Sequence, residues 1–388
     1  MKVLIATDFR LYKVKDKLYL NDTTYTTVER YKKIFGNIIL CTRVVYCNEA
    51  NSKMKDATVV LDEYVEIEKL VDTLFGKNNT KIKQYVEDVD LVIARVPSII
   101  AYKVANISHF LHKPVLALAM GCAWGTYWNH SIPGKLIAPY MYLEMKRVMQ
   151  QSNYALYVTS EFLQKRYPCR CKINIGVSDV KIVYLNATIL KRRIKKIENK
   201  SCDNDILVMT IGDVASRIKG QIYTIKAIKM LKDEGIIVHY LLVGEGDRSL
   251  LVNIANKLGV ANQLVFTGRL NTNEVNEYLD KADIYIQPSL QEGLPRAVVE
   301  AMGRGCPVIA SKVGGIPELI EAKYLVEPKS SKEIYNKIKV MLEKEQMLEQ
   351  ARRNFEKAKE FENILLSNRR NKFFELVKQD MMKDRIIK

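Results

Sequence analysis

The sequence lacks the long apolar runs on which membrane spans and secretory signals depend. None of its windows holds the roughly 18 consecutive apolar residues that a membrane-spanning helix needs. The N-terminal stretch MKVLIATDF reads as a strand that meets Asp8 at once, and it has neither the apolar core nor the small-residue cleavage site of a secretory signal. We therefore expect a chain that stays in the cytosol.

Paired cysteines are also missing. The seven cysteines are an odd number, scattered along the chain without any C-x-x-C pair, which argues against a disulfide framework and a zinc site. Only one residue separates Cys169 from Cys171, and this is poor spacing for metal ligands. No aspartate pair has metal-binding spacing either, so we expect no bound metal.

Acidic residues are scarce in the first half of the chain. The 388 residues carry a net charge of +17, and residues 101–200 alone hold 16 lysines and arginines against 4 acidic residues. We expect a positive face on the N-terminal half, turned toward an anionic partner. Three partners fit this charge: an anionic membrane surface, a pyrophosphate-linked acceptor, and nucleic acid.

The chain does contain a regular alternation of short apolar runs and longer amphipathic stretches. Hydrophobic residues make up 48% of a sequence that is too long for one core, so two domains are expected. The alternation predicts parallel sheets covered by helices on both faces. Residues 26–36 and 138–152 have helical periodicity, and the first helix is predicted to end at Gly36. The predicted strands are VLIAT (3–7), NIILCTRVV (37–45), ATVVL (57–61), DLVIARV (90–96), PVLALAM (114–120), ALYVTS (155–160), KINIGV (172–177), DILVMTIG (205–212), IIVHYLLVG (236–244), NQLVFTG (262–268), ADIYIQPS (282–289), CPVIASK (306–312) and KYLVEP (323–328).

The alternation is interrupted at residues 186–204, where a basic and polar run is typical of an inter-domain linker. We predict an N-terminal domain over 1–185 and a C-terminal domain over 205–364, both of the α/β class with a doubly wound parallel sheet. Residues 365–388 are predicted to form a charged helix whose apolar side needs a surface to pack against.

The segment 288–320, PSLQEGLPRAVVEAMGRGCPVIASKVGGIPELI, is the most informative part of the sequence. Pro295 suits the first position of a helix, because its missing N–H costs nothing there. The free N–H groups and the dipole of such a helix end attract phosphate. Glu292 and Glu300 then project toward the carboxyl ends of the strands, where ligands bind in this architecture. The glycine pair that begins at Gly314 allows a close backbone approach from the other side.

This segment resembles the signature of glycosyltransferase family 4, the retaining transferases of GT-B fold. The resemblance implies that Glu300 binds the nucleotide ribose and that Glu292 contacts the donor sugar. It also implies that Gly293 and the amides after it, beginning with Leu294, face the diphosphate and the sugar.

The same resemblance implies a GT-B architecture, in which two Rossmann-like domains face a central cleft. The donor site would lie in the C-terminal domain and the acceptor side in the N-terminal domain. The helix over residues 365–388 would pack back on the N-terminal domain.

Family members place a basic residue before a glycine after the first strand of the donor domain, and Lys219 fits this position. Its ammonium group would neutralise charge on the leaving diphosphate. Many members have an arginine six residues earlier, where this chain has Asp213; Arg217 either replaces it or is a solvated loop residue. Leu270 matches the position that holds the base through its backbone, and the alternative is a hydrophobic edge residue.

The N-terminal half matches less closely. The stretches RVPS (95–98) and WGTYWNHSIPGK (124–135) resemble transferases of surface-polysaccharide assembly, but the glycine-rich loop that many members carry after the first strand is missing. Where members often have a histidine near the reacting sugar, this chain has Met120, so His130 is the nearest catalytic candidate; its alternative is a structural histidine. Arg95 is predicted to clamp an acceptor phosphate or to form a structural salt bridge.

We therefore expect a metal-independent, retaining glycosyltransferase without a cofactor that uses a UDP- or GDP-sugar as donor. Its acceptor would be a lipid-linked sugar or a polysaccharide, met at the inner face of the cell membrane, and no nucleic-acid partner is expected. Two alternatives stay open: a sugar-nucleotide epimerase of the same fold, and a non-enzymatic polyanion-binding protein.

Overall fold

The computed structural model describes residues 1–51, 54–129, 132–182, 185–201 and 205–386, with side chains described up to Lys383. The chain divides into two compact units. The first is formed by Met1–Val177 with Asn368–Lys388, and the second by Ser178–Ser367. The first boundary lies eight residues before the predicted limit at 185, so the second unit also includes the predicted linker, and the second boundary lies three residues after the predicted limit at 364.

The first unit is built on a largely parallel sheet. Its strands are β1 (Lys2–Val14), β2 (Lys17–Asn21), β3 (Asn37–Tyr46), β4 (Met54–Asp56), β5 (Glu63–Glu66), β6 (Leu91–Val96), β7 (Val115–Ala119), β8 (Tyr154–Tyr157) and β9 (Ile173–Gly176). Its helices before the second unit are α1 (Asp22–Phe35), α2 (Leu70–Leu74), α3 (Asn79–Glu87), α4 (Ile99–Phe110), α5 (Ala123–Trp128), α6 (Ile132–Gln151) and α7 (Phe162–Arg166).

The parallel strands of this sheet follow the order β5-β3-β1-β6-β7-β8-β9. Val3 and Ile5 of β1 pack into one hydrophobic cluster, while Leu4 and Ala6 pack into another. Because alternate side chains of a strand point to opposite faces, the sheet is covered on both sides. This confirms the predicted α/β class with parallel sheets.

The strand predicted at residues 57–61 is wrong. These residues form a turn, in which Asp56 Oδ1 accepts a hydrogen bond from the backbone N–H of Thr58 at 2.9 Å and Leu61 N–H donates to Ala57 O. The aspartate side chain competes with the ladder and favours the turn. Ala57, Val60 and Leu61 are buried in the core without forming a strand, while Val59 is 71% exposed, so hydrophobicity alone was a misleading signal here.

Both predicted helices of the first unit begin earlier than expected. In α1, Asn21 caps the helix by accepting from Thr24 N–H at 2.8 Å, and the helix ends at Gly36 with φ of 101°, as predicted. The helix predicted from residue 138 begins at Ile132, because Pro133 lies in the first turn, where no backbone N–H donor is needed.

The C-terminal helix α15 (Asn363–Ile386) supplies core residues to the first unit from Asn368 onward. Phe374 contacts Tyr31 and Phe35 of α1 edge-on, with ring centroids 5.4 and 5.9 Å apart. Such aromatic contacts add to the burial of the rings. The apolar side of the last helix is therefore buried against the first unit.

The second unit contains a fully parallel sheet in the order β12-β11-β10-β13-β14-β15. Its strands are β10 (Ile206–Ile211), β11 (Val238–Val243), β12 (Leu264–Gly268), β13 (Ile284–Gln287), β14 (Val308–Ser311) and β15 (Leu325–Val326). Its helices are α8 (Ala187–Glu198), α9 (Gln221–Asp233), α10 (Ser249–Lys257), α11 (Thr272–Lys281), α12 (Arg296–Gly303), α13 (Ser331–Met341) and α14 (Lys344–Ala358). Short 3-10 turns lie at Arg217–Lys219, Ala261–Gln263, Ile316–Glu318, Ala322–Tyr324 and Lys359–Phe361.

Most of the predicted linker, residues 186–204, is the helix α8 and belongs to the second unit. Its buried Arg193 donates hydrogen bonds to the carbonyl oxygens of Ala282 at 2.6 Å and Arg304 at 3.2 Å, and also to that of Leu279. The carbonyls at the end of a helix such as α11 need partners, and this guanidinium provides them. The basic run therefore includes a buried structural arginine.

Among the described residues, no helix combines the length and the apolarity that crossing a membrane requires.

Candidate functional site

The second unit has a topological switch point at β10. This strand pairs with β11 on one side and with β13 on the other, so the loops that follow β10 and β13 leave the carboxyl edge of the sheet next to each other. The two loops are joined by a hydrogen bond from Leu290 N–H to Ile218 O at 2.8 Å. Ligands of open α/β sheets bind at this kind of crevice.

The loops bring Lys219 and Glu292 together across 73 residues of sequence. Lys219 Nζ donates to Glu292 Oε1 at 2.8 Å, and the side chain of Glu292 is only 11% exposed. The stem of Lys219 lies over Gly212, where an added Cβ would come within 3.2 Å of it. The ammonium group is thus fixed at the crevice, while 30% of the lysine side chain stays open to solvent.

A network of buried polar side chains, which the sequence analysis missed, also donates hydrogen bonds to Glu292. Gln287 Nε2 donates to Glu292 Oε1 at 3.1 Å and to Ser289 Oγ at 2.8 Å, and Ser289 Oγ donates to Glu292 Oε1 at 2.7 Å. Tyr285 Oη in turn donates to Gln287 Oε1. Gln287, at the end of an otherwise apolar strand, and Ser289, two residues later, were the signal from which this network could have been predicted.

Glu300 lies in the first turns of α12 and is 17% exposed, so neither glutamate is turned fully outward. Burial raises the pKa of Tyr285, and the charges of Glu292 and Glu300 raise it further, so both carboxylates act on the same hydroxyl group. Glu300 Oε1 accepts from Arg296 Nε at 2.8 Å. Among the described residues, Oε2 of either glutamate has no hydrogen-bond donor.

The N-terminus of α12 follows this loop directly. Its N-cap residue is Pro295, which provides no side-chain cap for the first backbone N–H groups of the helix. Gly293 precedes it in open space, because an added Cβ would meet no atom within 4 Å. Half-buried Leu294 lies between the two. Free N–H groups and an open approach are what an anionic group requires here.

Two glycines allow the loops to pack backbone against backbone. Gly220, with φ of 71°, would place a Cβ 2.0 Å from Pro288 O, and Gly314, with φ of 57°, would place one 2.0 Å from Glu292 O. Only glycine is compatible with both the positive φ and the close approach. The glycines next to Lys219 and after β14 therefore set the shape of the loop that carries Glu292.

Arg217 and Leu270 occupy the same edge of the sheet at different places. Arg217 is exposed and borders a cavity of about 340 Å³ together with Gly220 and Leu290. Leu270 is half-buried in the connection between β12 and α11, directly before the N-cap Asn271. The roles predicted for these two residues stay predictions.

Comparison with known proteins assigns the family. The family model for glycosyl transferases group 1 matches residues 191–360. Protein CapJ of Staphylococcus aureus is 31% identical over 341 residues, which is 85% of this chain and 83% of CapJ. The chain belongs to the group 1 glycosyl transferases.

Two further comparisons concern a shorter stretch of this glycosyltransferase and its fold. The amylovoran biosynthesis glycosyltransferase AmsK of Erwinia amylovora is 39% identical over 110 residues, covering 26% of this chain and 27% of AmsK. The crystal structure of Anabaena HepE in complex with UDP and glucose aligns over 99% of both chains with a TM-score of 0.61 at 16% identity. This likeness confirms the predicted GT-B fold.

In the first unit of the glycosyltransferase, Arg95 lies near the end of β6, where it was predicted to clamp a phosphate or to form a salt bridge. Its guanidinium lies 4.5 Å from the ring centroid of Phe9, and Nη1 donates to Tyr31 Oη at 3.3 Å. It forms no ion pair with the part of the chain that the structure describes, and its predicted role toward an acceptor stays a prediction. His130 lies outside the described residues.

A pair of unsatisfied polar atoms marks the same edge of the first unit, and the sequence analysis did not select them as a site. β1 bulges between Ala6 and Arg10, and in this bulge Asp8 Oδ1 is buried without a hydrogen-bond partner, as is Arg43 Nε on β3. Burial raises the pKa of Asp8, although the Ser98 hydroxyl and the charge of Arg43 act in the opposite direction. Buried polar atoms normally have partners, so these two atoms are exceptions at this edge of the first unit.

Proposed function

We propose that this glycosyltransferase moves a sugar from a nucleotide-diphosphate donor to an acceptor hydroxyl group with retention of the anomeric configuration. The observation that carries the proposal is the Lys219–Glu292 pair at the switch point, beside the uncapped N-terminus of α12. A cation, free N–H groups and two partly buried carboxylates are the groups that a sugar diphosphate needs around it.

The roles proposed for the residues of the site follow from their charges. The diphosphate would lie against the N-terminus of α12 and draw the ammonium group of Lys219, since both provide positive potential. Glu300 would accept hydrogen bonds from the ribose through its open oxygen, and Glu292 would do the same for the sugar hydroxyls. Gly293 and Leu294 would face the phosphates, Arg217 would add a second cation, and the backbone at Leu270 would hold the base.

The transfer itself needs few groups from the protein. The acceptor oxygen would form a bond to the anomeric carbon while the bond from that carbon to the diphosphate oxygen breaks. The acceptor proton would pass to the departing phosphate oxygen on the same face of the sugar. Because Lys219 and the helix N-terminus stabilise the departing charge, we propose that the reaction is independent of a metal ion.

The donor is proposed to be a UDP- or GDP-sugar and the acceptor a lipid-linked sugar or a polysaccharide in surface-glycan assembly. UDP in the HepE structure and the amylovoran pathway in the name of AmsK support these classes. On the acceptor side, Asp8 Oδ1 and Arg43 Nε lack hydrogen-bond partners, and we propose that polar groups of a glycan bind near them. Arg95 retains its predicted role toward an acceptor phosphate.

A sugar-nucleotide epimerase and a polyanion-binding protein are not favoured by the family assignment. Incubation of the protein with donor alone distinguishes the first, because an epimerase would release a new sugar nucleotide without any acceptor. Nucleic-acid affinity that falls steeply with salt, in a protein that does not bind any sugar nucleotide, would favour the second.

A thermal-shift panel of UDP-, GDP-, ADP- and CDP-sugars tests the proposal. A ligand at 100 times its dissociation constant stabilises the native state by about 2.7 kcal/mol, so the correct donor stands out by the rise in melting temperature. A panel without any shift contradicts the proposed function.

Glu300→Ala is expected to abolish the shift given by the best donor, because the ribose then loses its carboxylate acceptor. The matched control is Glu277→Ala, which removes an exposed carboxylate of α11 and should leave the shift unchanged. Normal donor binding by the Glu300 variant would count against the assigned role.

A further inference from the structure

Helix α6 of the first unit carries a row of exposed apolar side chains. Ile132, Leu136 and Leu143 are 79%, 82% and 62% exposed, and Tyr140 stands beside them. Their spacing of four, four and three residues places them along one side of the helix over about 16 Å. The opposite side, with Met141 and Met145 among others, is buried in the core, so the helix is firmly placed.

Exposed apolar residues are common singly, but a continuous row on a helix marks an interaction site. The polar groups around the row indicate its partner. Lys135, Lys146 and Arg147 lie on the same half of the helix. The only carboxylate of α6 is Glu144, which is 15% exposed and accepts a hydrogen bond from Asn106 Nδ2 at 2.6 Å on α4.

The row is therefore bordered by cations, and the one anion of α6, Glu144, is engaged by Asn106 and lies 3.9 Å from Arg147 Nη1. Self-association through this face would bring the same three cations of two chains together, because a two-fold interface pairs each patch with its own copy. An anionic bilayer accepts both features at once. The apolar side chains enter the boundary of the headgroups and acyl chains, and the cations meet lipid phosphates.

Aromatic residues at the border fit the same partner. Trp128 of α5 is partly exposed, and Lys135 Nζ lies 6.0 Å from its ring centroid. Tyr140 is partly exposed on α6 itself. Tryptophan and tyrosine are enriched at the membrane–water interface, because their rings are apolar at one end and polar at the other.

We propose that this face of α6, defined by Ile132, Leu136, Tyr140 and Leu143 with Lys135, Lys146 and Arg147, docks the protein on the surface of a bilayer that contains anionic lipids. The inference extends the proposed function, because docking would hold the enzyme where a lipid-linked acceptor lies. It does not depend on turnover, so binding to vesicles and binding of donor can fail separately.

Flotation of the full chain with vesicles tests the proposal. We expect binding to vesicles of phosphatidylcholine mixed with phosphatidylglycerol, weakening as salt is raised, and little binding to phosphatidylcholine alone. The double variant Leu136→Ser/Leu143→Ser and the double variant Lys135→Gln/Lys146→Gln should each lower the partition to anionic vesicles by about tenfold or more.

The matched control is Phe75→Ser/Lys77→Gln, which removes an exposed aromatic and an exposed lysine elsewhere on the first unit and should bind as the unchanged protein does. The urea midpoint of tryptophan fluorescence, which reports the first unit because Trp124 and Trp128 both belong to it, shows that this unit is folded in each variant.

Vesicle binding that is equal in the α6 variants and the control would overturn the proposal, and so would the absence of vesicle binding by a protein that still binds donor. Sedimentation gives the remaining outcome. A dimer that becomes monomeric in Leu136→Ser/Leu143→Ser would identify the face as an interface between two copies and overturn the membrane assignment.

Discussion

Glu292 and Glu300 belong to the same loop and helix, but their partners differ. Glu292 is bound by Lys219 and by the buried network of Gln287 and Ser289, so its position depends on two loops and a strand. Within the described part of the chain, Glu300 has Arg296, one turn earlier on its own helix, as its only side-chain partner. Ion pairs between residues four apart on a helix contribute about 0.3–0.5 kcal/mol, so exchanging this partner for the proposed ribose hydroxyl would cost Glu300 little.

Lys219→Ala is expected to lower kcat by roughly 10²- to 10³-fold, because removing one preorganised group that stabilises developing charge costs about 3–4 kcal/mol. Initial rates at saturating donor measure the effect. Lys219→Arg, which keeps the cation, should retain more activity than Lys219→Ala. A change confined to KM would show that the lysine binds donor and transition state equally.

His109 makes the first unit sensitive to acid. Burial, together with the charge of Arg147, lowers its pKa to about 4 from 6.5. Because folding lowers this pKa, the contribution of neutral His109 to the free energy of unfolding is fully present above about pH 6.5. It is lost as the pH falls toward 4. We expect the free energy of unfolding of His109→Gln not to fall in this way. At pH 4 it should exceed that of the unchanged protein by about 1–2 kcal/mol, after allowance for the partial exposure of His109.

Urea titrations at pH 7 and pH 4 measure this difference through tryptophan fluorescence. Both tryptophans of the chain, Trp124 and Trp128, belong to the first unit, so the signal reports that unit alone. Equal pH dependence in the variant and the unchanged protein would exclude His109 as the cause.

At the level of elements, the donor half is organised by loops that touch through glycine. The turn after β14 presses Gly314 against the carbonyl of Glu292, and Gly315 N–H donates to Gly293 O at 2.7 Å. The position of Glu292 thus depends on the turn after β14 as well as on the loop after β13 that carries it.

Gly314→Ala is expected to displace this loop, lowering the stability of the second unit by about 1–3 kcal/mol and abolishing the donor-induced shift. Gly293→Ala is the comparison, since a Cβ there meets open space. It should leave the stability of the free protein nearly unchanged and reduce donor binding alone. Donor binding by Gly314→Ala at the level of the unchanged protein would refute the supporting role of this turn.

At the level of the whole molecule, the chain ends in the unit in which it begins. Phe373, Phe374, Val377 and Met381 of α15 complete the same hydrophobic cluster as Val3 and Ile5 of β1. The first unit therefore cannot complete its core until α15 has been made.

Phe374→Ala is expected to destabilise the first unit by about 3–5 kcal/mol, because it removes a buried ring from the contacts with Tyr31 and Phe35. Leu376→Ala on the exposed side of the same helix should change stability by less than about 0.5 kcal/mol. The urea midpoint of tryptophan fluorescence measures both. Equal midpoints for the two variants would show that α15 does not contribute to this core.

The sequence by itself was enough for the features that depend on near neighbours and on a recurring motif. Alternating apolar runs indicated the parallel sheets, Gly36 indicated the end of α1, and the motif around Glu292 and Glu300 indicated the loop and helix of the candidate site. These signals lie within one element or one loop, so they can be read without knowing how the chain folds.

Only the tertiary structure decided the rest, because the deciding contacts join distant positions. Lys219 meets Glu292 across 73 residues, and Arg193 on the supposed linker binds Ala282 across 89. Whether a polar atom such as Asp8 Oδ1 is satisfied, or an apolar side chain such as Leu136 is covered, depends on which neighbours the fold brings to it. Local pattern specifies what each segment can form, and packing determines which groups are left free to bind.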